Sequence, residues 1–277
     1  MFHIINLIYI IFSMNKIYGI IISLIAGLST LIGYLFIYIK GDKNKIISRC
    51  LSFAGGVMIM LSVIDLLPSS IENLCKENSY FKTIIFSFLC FWIGFFGCHF
   101  ISKLMHNESS KLYKTGIISM LGIVLHNIPE GIATFVLSAI DLKLGLFLAI
   151  AIILHNVPEG IGIAIPIFYS TNSKKNAFLY TFISGISEPL GGLFALLFLY
   201  KYINNSIIGF LFSFIAGLMI YIGYFELLKT SRYYDNKKNS YNSSEWFHMY
   251  ERVCLENDDC SYASKLIVDL DIYPHLP

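Results

Sequence analysis

"LHNIPEGIA" at 125–133 and "LHNVPEGIGIA" at 154–164 carry one hexad twice, His-Asn-x-Pro-Glu-Gly, each time inside an apolar run. The repeat puts the same polar side chains at the same relative positions in two consecutive apolar segments. On a helix, residues four apart share a face, and the residue at i+1 joins i+4 at a spacing of three. His126, Asn127 and Glu130 therefore project together, and so do His155, Asn156 and Glu159. Each hexad turns an imidazole, an amide oxygen and a carboxylate toward one point. Pro129 and Pro158 lack a backbone N–H, which frees the carbonyls of Leu125 and Leu154 and disturbs the preceding turn. Gly131 and Gly160 leave room for a neighbouring helix to come close.

The surroundings say where these helices lie. Of the 277 residues, 56% are hydrophobic and only 14% charged, with a mean hydropathy of +0.68. Soluble domains carry about a quarter charged residues, so this is the composition of a membrane protein. Apolar runs fall near 17–39, 50–68, 83–105, 115–140, 144–169, 177–200 and 206–228. Each is close to the length of about 20 residues that crosses a bilayer. Short polar stretches such as "KGDKNK" and "STNSKKN" separate them. The pattern predicts an all-α polytopic transmembrane helical bundle with seven clear spans. Residues 1–16 read as an N-terminal extension or weak signal-like segment, 17–228 as the membrane domain and 229–277 as a polar C-terminal tail, with a short amphipathic stretch near 263–272.

Charge sets the orientation. With the N-terminus outside, Lys40, Lys43, Lys45 and Arg49, then Lys103, Lys111 and Lys114, then Lys174 and Lys175, and finally Lys229, Arg232, Lys237 and Lys238 all fall on the inner side. Lys16, Lys76, Lys82, Lys143 and Lys201 fall outside, and the excess inside fixes the topology. A net charge of +2, with no basic block interleaved with aromatics, argues against nucleic acid as a partner. The cysteines (50, 75, 90, 98, 254 and 260) form no CxxC pair, which argues against a disulfide framework or a zinc knuckle.

Spans four and five run antiparallel through a tight connection around Asp141–Lys143, so both hexads reach a common depth. A further carboxylate, Glu188 in "SGISEPLGG", lies within span six. An ionised carboxylate at the bilayer centre costs on the order of 2–3 kcal/mol or more, and three held together also repel one another. A cation, or protons in its absence, must neutralise them. Two imidazoles with several oxygens suit zinc, ferrous iron or a neighbouring first-row metal, whereas magnesium and calcium sites are usually all oxygen. Met58 in "FAGGVMIML" offers a soft thioether from span two, or else ordinary packing. More than four candidate ligands imply two adjacent positions or ligand exchange as metal passes. That favours transport over closed, four-coordinate structural zinc. An intramembrane zinc-dependent hydrolase is an alternative, since HxxxE on a helix is compatible with metal-activated water. A non-transporting metal sensor is another. His99 reads as a bundle histidine, Glu226 as a solvated charge at a helix end, and His106, His248 and His275 stand isolated.

These residues resemble the ZIP (Zrt/Irt-like) family of divalent-metal transporters, in particular the branch with bacterial broad-specificity members. "HNIPEG" and "HNVPEG" carry the likeness, supported by "AGLSTLIG", "FAGGVMIMLSVIDLLP", "SEPLGG" and "AGLMIYIGYFELL" over residues 17–232. The resemblance implies a bundle of eight spans, dimeric in several members, in which spans four and five belong to a moving transport domain. It implies that His126, Asn127, Glu130, His155, Asn156, Glu159 and Glu188 form a binuclear transport site, with Met58 at a position that contributes in some members. It marks Asp65 and Glu72 as an acidic entrance, where the residues alone read equally as interfacial charges. The implied substrate is Zn²⁺, with Fe²⁺ and Mn²⁺ as further candidates, moved toward the cytosol. No cofactor, a lipid bilayer, a homodimer and the plasma membrane complete the expectation. Three departures stand out. The polar tail occupies the place of the eighth span, as a truncated gene model or a variant C-terminus would. Phe225 stands where relatives often carry an acid, and the loop after span three is short, with only His106.

Overall fold

The computed structural model describes residues 14–105, 110–199 and 204–235. Among them seven helices are long and apolar enough to cross a membrane: α1 (Lys16–Tyr38), α2 (Lys43–Glu77), α3 (Tyr80–Leu104), α4 (Lys111–Ala139), α5 (Gly145–Thr171), α6 (Lys174–Phe198) and α7 (Asn205–Asp235). No strand occurs among the described residues. The short loops supply the helix caps, where side-chain oxygens satisfy first-turn N–H groups that have no partner within the helix. Asp42 accepts from the N–H groups of Asn44 and Lys45, Ser110 from Tyr113, Ser173 from Asn176 and Asn204 from Ile207. Beyond the spans themselves helix runs on to Ile140 in α4 and starts at Leu142 in α5, so Asp141 alone separates the two and caps the second through Lys143 N–H at 2.8 Å, giving the tight antiparallel turn read from the sequence.

The helices associate in two groups, α1 with α4, α5 and α6, and α2 with α3 and α7. In a membrane, close backbone approach through small residues replaces the hydrophobic drive that assembles soluble bundles. At Gly131 a Cβ would fall onto the carbonyl of Glu188, so α4 and α6 touch backbone to backbone at that level. At Gly160 a Cβ would fall onto the carbonyl of Thr30, which brings α5 equally close to α1. Across the second group Gly94 meets the Phe214 carbonyl and Gly217 the Phe91 carbonyl. α2 joins the groups by packing on both α5 and α7.

Irregular turns interrupt three spans, and a fourth, α6, ends in a π-helical turn at Ala195–Leu199. α1 breaks at Ser29, where the hydroxyls of Ser29 and Thr30 bond back to the carbonyls of Ala26 and Gly27. π-helical turns occupy Ser62–Leu66 in α2 and Ile222–Leu228 in α7, and each carries a carboxylate, Asp65 and Glu226. Such turns often mark functional positions. α4 and α5, by contrast, run unbroken through Pro129, Pro158 and Pro166.

Two boundaries move from the sequence reading. Among the described residues helix is already present from Met14, inside the expected extension, and α7 continues past 229 to Asp235. The reason at α7 is that its polar residues face other helices. Ser231 bonds Ser52 at 2.6 Å and the Ser48 carbonyl at 2.8 Å, and Thr230 meets Thr115 at 2.9 Å. Hydropathy alone counted them as solvated. The amphipathic stretch near 263–272 and His106, His248 and His275 lie outside the described residues. Cys50, Cys75, Cys90 and Cys98 are free thiols.

Candidate metal centre

The two hexads meet. Glu130 of α4 sits between both imidazoles, its Oε1 lying 3.0 Å from His126 Nε2 and 2.8 Å from His155 Nε2. Glu159 of α5 reaches across to His126 Nε2 at 3.5 Å. The two rings stand 6.2 Å apart, and the ligand atoms of His126, Glu130 and His155 lie within 4.8 Å of one another. Ligands at Zn–N and Zn–O distances of about 2.0–2.1 Å on a tetrahedron are about 3.3 Å apart. The observed separations bracket that value, so one ion can be shared without moving the helices.

The amide NH₂ groups have a part of their own, in anchoring the helices that carry them. Asn156 donates to the Ala26 carbonyl at 2.9 Å and to Glu188 Oε2 at 3.0 Å. The first partner exists because α1 is broken one turn further on, at Ser29. Asn127 donates to the Ser184 carbonyl on α6 at 2.9 Å. Both NH₂ groups are thus spent on anchoring α4 and α5 to their neighbours. Both amide oxygens are left buried without a hydrogen-bond partner.

They have company. Glu159 Oε1 and Oε2, Glu130 Oε2 and Glu188 Oε1 are likewise buried and lack a hydrogen-bond partner. Asn127, Asn156, Glu159 and Glu188 are fully enclosed. Native proteins pair nearly all of their buried polar atoms, and an unpaired buried carboxylate is costly. All six of these atoms are oxygens that accept, and none can donate. A cation satisfies such a set, and so, more weakly, do protons. Glu188 lies within electrostatic reach of Glu130 and Glu159, which makes the carboxylates one field.

The remaining sequence candidates divide. Asp65, in the π-helical turn of α2, is half-buried, accepts from Ser69 at 3.3 Å and is close enough for its charge to act on His126. Glu72, farther along α2, is exposed. Met58 is fully enclosed, with its methyl group beside Gly162, about one turn beyond Glu159 on α5, and it packs in a core cluster with Ala54 and Leu227. His99 meets the Tyr221 hydroxyl at 3.3 Å. Glu226 departs from expectation. It is 6% exposed rather than solvated, because its π-helical turn faces α3 and α4, where Ser102 donates at 2.7 Å and Thr115 at 3.5 Å. The backbone acceptors of Ala26 and Ser184 were missed entirely. The only sequence signal for them was small residues flanking Gly27 and Gly185.

Comparison with known proteins adds a separate line. The family model described as ZIP Zinc transporter matches residues 107–255, which include both hexads and Glu188. The chain is 37% identical over 230 residues to the zinc transporter ZupT of Streptococcus mutans, covering 77% of this chain and 87% of that protein. It is 38% identical over 242 residues to the protein of that name from Oceanobacillus iheyensis, covering 80% and 90%. With that from Campylobacter jejuni it shares 34% identity over 259 residues, covering 79% and 89%. A paired His/Glu centre between two facing helices, a family model spanning over half the chain and relatives matched along most of their length agree, and the chain belongs to the ZIP family.

Proposed function

We propose that the protein carries Zn²⁺, with Fe²⁺ and Mn²⁺ as further substrates, across the plasma membrane toward the cytosol through the centre shared by α4, α5 and α6. The observation that carries this reading is the set of buried, unpartnered oxygens around His126, Glu130 and His155, in a chain whose relatives are named zinc transporters. In this proposal His126, Glu130, His155 and Glu159 hold one ion, and Asn127, Asn156 and Glu188 complete a second position that shares Glu130 and Glu159. Met58 borders the site as a soft neighbour. Inward movement is supported by the lysine-rich inner loops and by the acids of α2, with Asp65 leading from the exposed Glu72 toward His126. A site at such depth must open to one side at a time, or it becomes a leak. Membership of a transporter family stands against the hydrolase reading.

The test is Zn²⁺ accumulation in cells deficient in zinc uptake. Cells expressing the chain should accumulate radiolabelled Zn²⁺ above the empty-vector level, and binding without accumulation would indicate the sensor instead.

Two expectations follow from the ligand chemistry. Zinc binds neutral imidazole and carboxylate, so loading displaces protons. Uptake should therefore fall as the loading side is acidified from about pH 7.5 to about pH 5.5, and raising Zn²⁺ should restore it, as competition requires. The amides differ in their anchors. Asn156→Ala removes bonds to Ala26 and Glu188, whereas Asn127→Ala removes one bond to Ser184. Loss of such supporting contacts typically lowers metal affinity by about 10–100-fold. Calorimetric Zn²⁺ titration should show the larger loss for Asn156→Ala.

A further inference from the structure

A cavity of about 740 Å³ opens between α3, α4 and α7, at the lysine-rich end of the bundle. Lys103 from the end of α3, Lys111 and Lys114 from the start of α4 and Lys229 from α7 line it. Among the described residues none of the four forms an ion pair. Lys111 lies 4.7 Å from the centre of the Tyr233 ring, and its charge and that of Lys229 act on each other. Among the described residues the only carboxylate in the lining is Glu226, which is already held by Ser102 and Thr115. Four ammonium groups set against one carboxylate leave the cavity short of negative charge, and they repel any passing metal cation.

Beside Glu226, Ser102 and His99, the rest of the wall is aromatic. Phe95, Phe96 and Phe225 line it, and Phe96 is 57% and Phe225 39% exposed on the outer surface of the bundle. Phe100, one turn beyond Phe96 on α3, is 62% exposed. The cavity therefore joins a cationic head to an apolar flank that faces hydrocarbon. A free phosphate ion could use the lysines but not the flank, whereas a phospholipid uses both. Basic pockets between spans on the cytoplasmic side are suited to anionic headgroups. We propose that this cavity binds one anionic phospholipid of the inner leaflet, with its phosphate among Lys103, Lys111, Lys114 and Lys229 and an acyl chain along Phe96, Phe100 and Phe225. The lipid would tie α4, which carries His126 and Glu130, to α3 and α7.

Native mass spectrometry of the full chain, released from vesicles of phosphatidylcholine and phosphatidylglycerol, tests this. One phosphatidylglycerol per chain should persist after the phosphatidylcholine is stripped. Changing Lys103, Lys111, Lys114 and Lys229 together to Gln should reduce that adduct by about tenfold or more. Changing Lys40, Lys43, Lys174 and Lys175 to Gln, which removes the same charge from the same side, should leave it. Equal loss in both variants would overturn the proposal, as would displacement of the lipid by millimolar inorganic phosphate, which would mark a free-anion site. Should the first variant fail to fold, photoactivatable phosphatidylglycerol on the unaltered chain decides. Adducts concentrated on 95–103 and 221–229 support the site, and adducts spread evenly over the spans overturn it.

Discussion

Replacing Glu130 by Gln should bring Zn²⁺ uptake down to background while the protein still reaches the membrane. Glu130 is the one carboxylate in contact with both imidazoles, at 3.0 and 2.8 Å, and so it joins α4 to α5 through the centre. The amide has nearly the same shape but no charge, and one of its two heavy atoms can only donate. A cation held there loses a charged ligand that both imidazoles contact. Breaking a buried ionic contact by removing one partner typically costs about 3–5 kcal/mol. Each 1.4 kcal/mol is tenfold in binding, so Zn²⁺ affinity should fall by about a hundredfold or more. Calorimetric titration of the detergent-purified variant checks this. Affinity within a few-fold of the parent would remove Glu130 from the ligand set.

The second large effect is steric. Gly131→Ala should lower both thermal stability and uptake, although it adds a single methyl group. The new Cβ would fall onto the Glu188 carbonyl, which is backbone and cannot swing aside as a flexible side chain can. Forced overpacking typically costs about 1–3 kcal/mol. Here the displacement would also separate α4 from α6, and with them Glu130 from Glu188. Gly97→Ala is the matched control, because nothing lies within 4 Å of its Cβ position. In a helix interior that exchange is favourable by up to about 1 kcal/mol. Thermal unfolding followed by tryptophan fluorescence, together with uptake, should separate the two variants clearly. Equal melting temperatures would mean that the α4–α6 contact is looser than described.

The centre was legible in the sequence to the extent that its parts break a rule of their surroundings. His126, Glu130, His155 and Glu159 are polar side chains in apolar helices, and helical spacing alone aims each pair at one point. The antiparallel turn at Asp141 could be read from length, and the contact between the hexads followed. The anchoring partners of Asn127 and Asn156 could not be read. These are main-chain carbonyls on other helices, and the one at Ala26 depends on a local break at Ser29. Glu226 misled for a related reason. Hydropathy along a chain measures transfer from water to lipid, and it does not register a hydroxyl on the next helix. Ser102 and Thr115 make burial of that carboxylate tolerable, and Ser231 and Thr230 extend α7 by the same means. The π-helical turns at Asp65 and Glu226 shift each side chain relative to a regular helix, which no 3.6-residue count anticipates.

The most direct measurement is Zn²⁺ flux through the purified chain in liposomes that enclose a fluorescent zinc indicator, run in parallel for the parent and Glu159→Ala. Glu159 is fully enclosed, faces His126 and has both oxygens without a hydrogen-bond partner, so its role is hard to supply from elsewhere. If the centre is the route, the parent fills the liposomes and Glu159→Ala, reconstituted to the same amount, does not. Equal flux through both would place the path of the metal outside the two hexads.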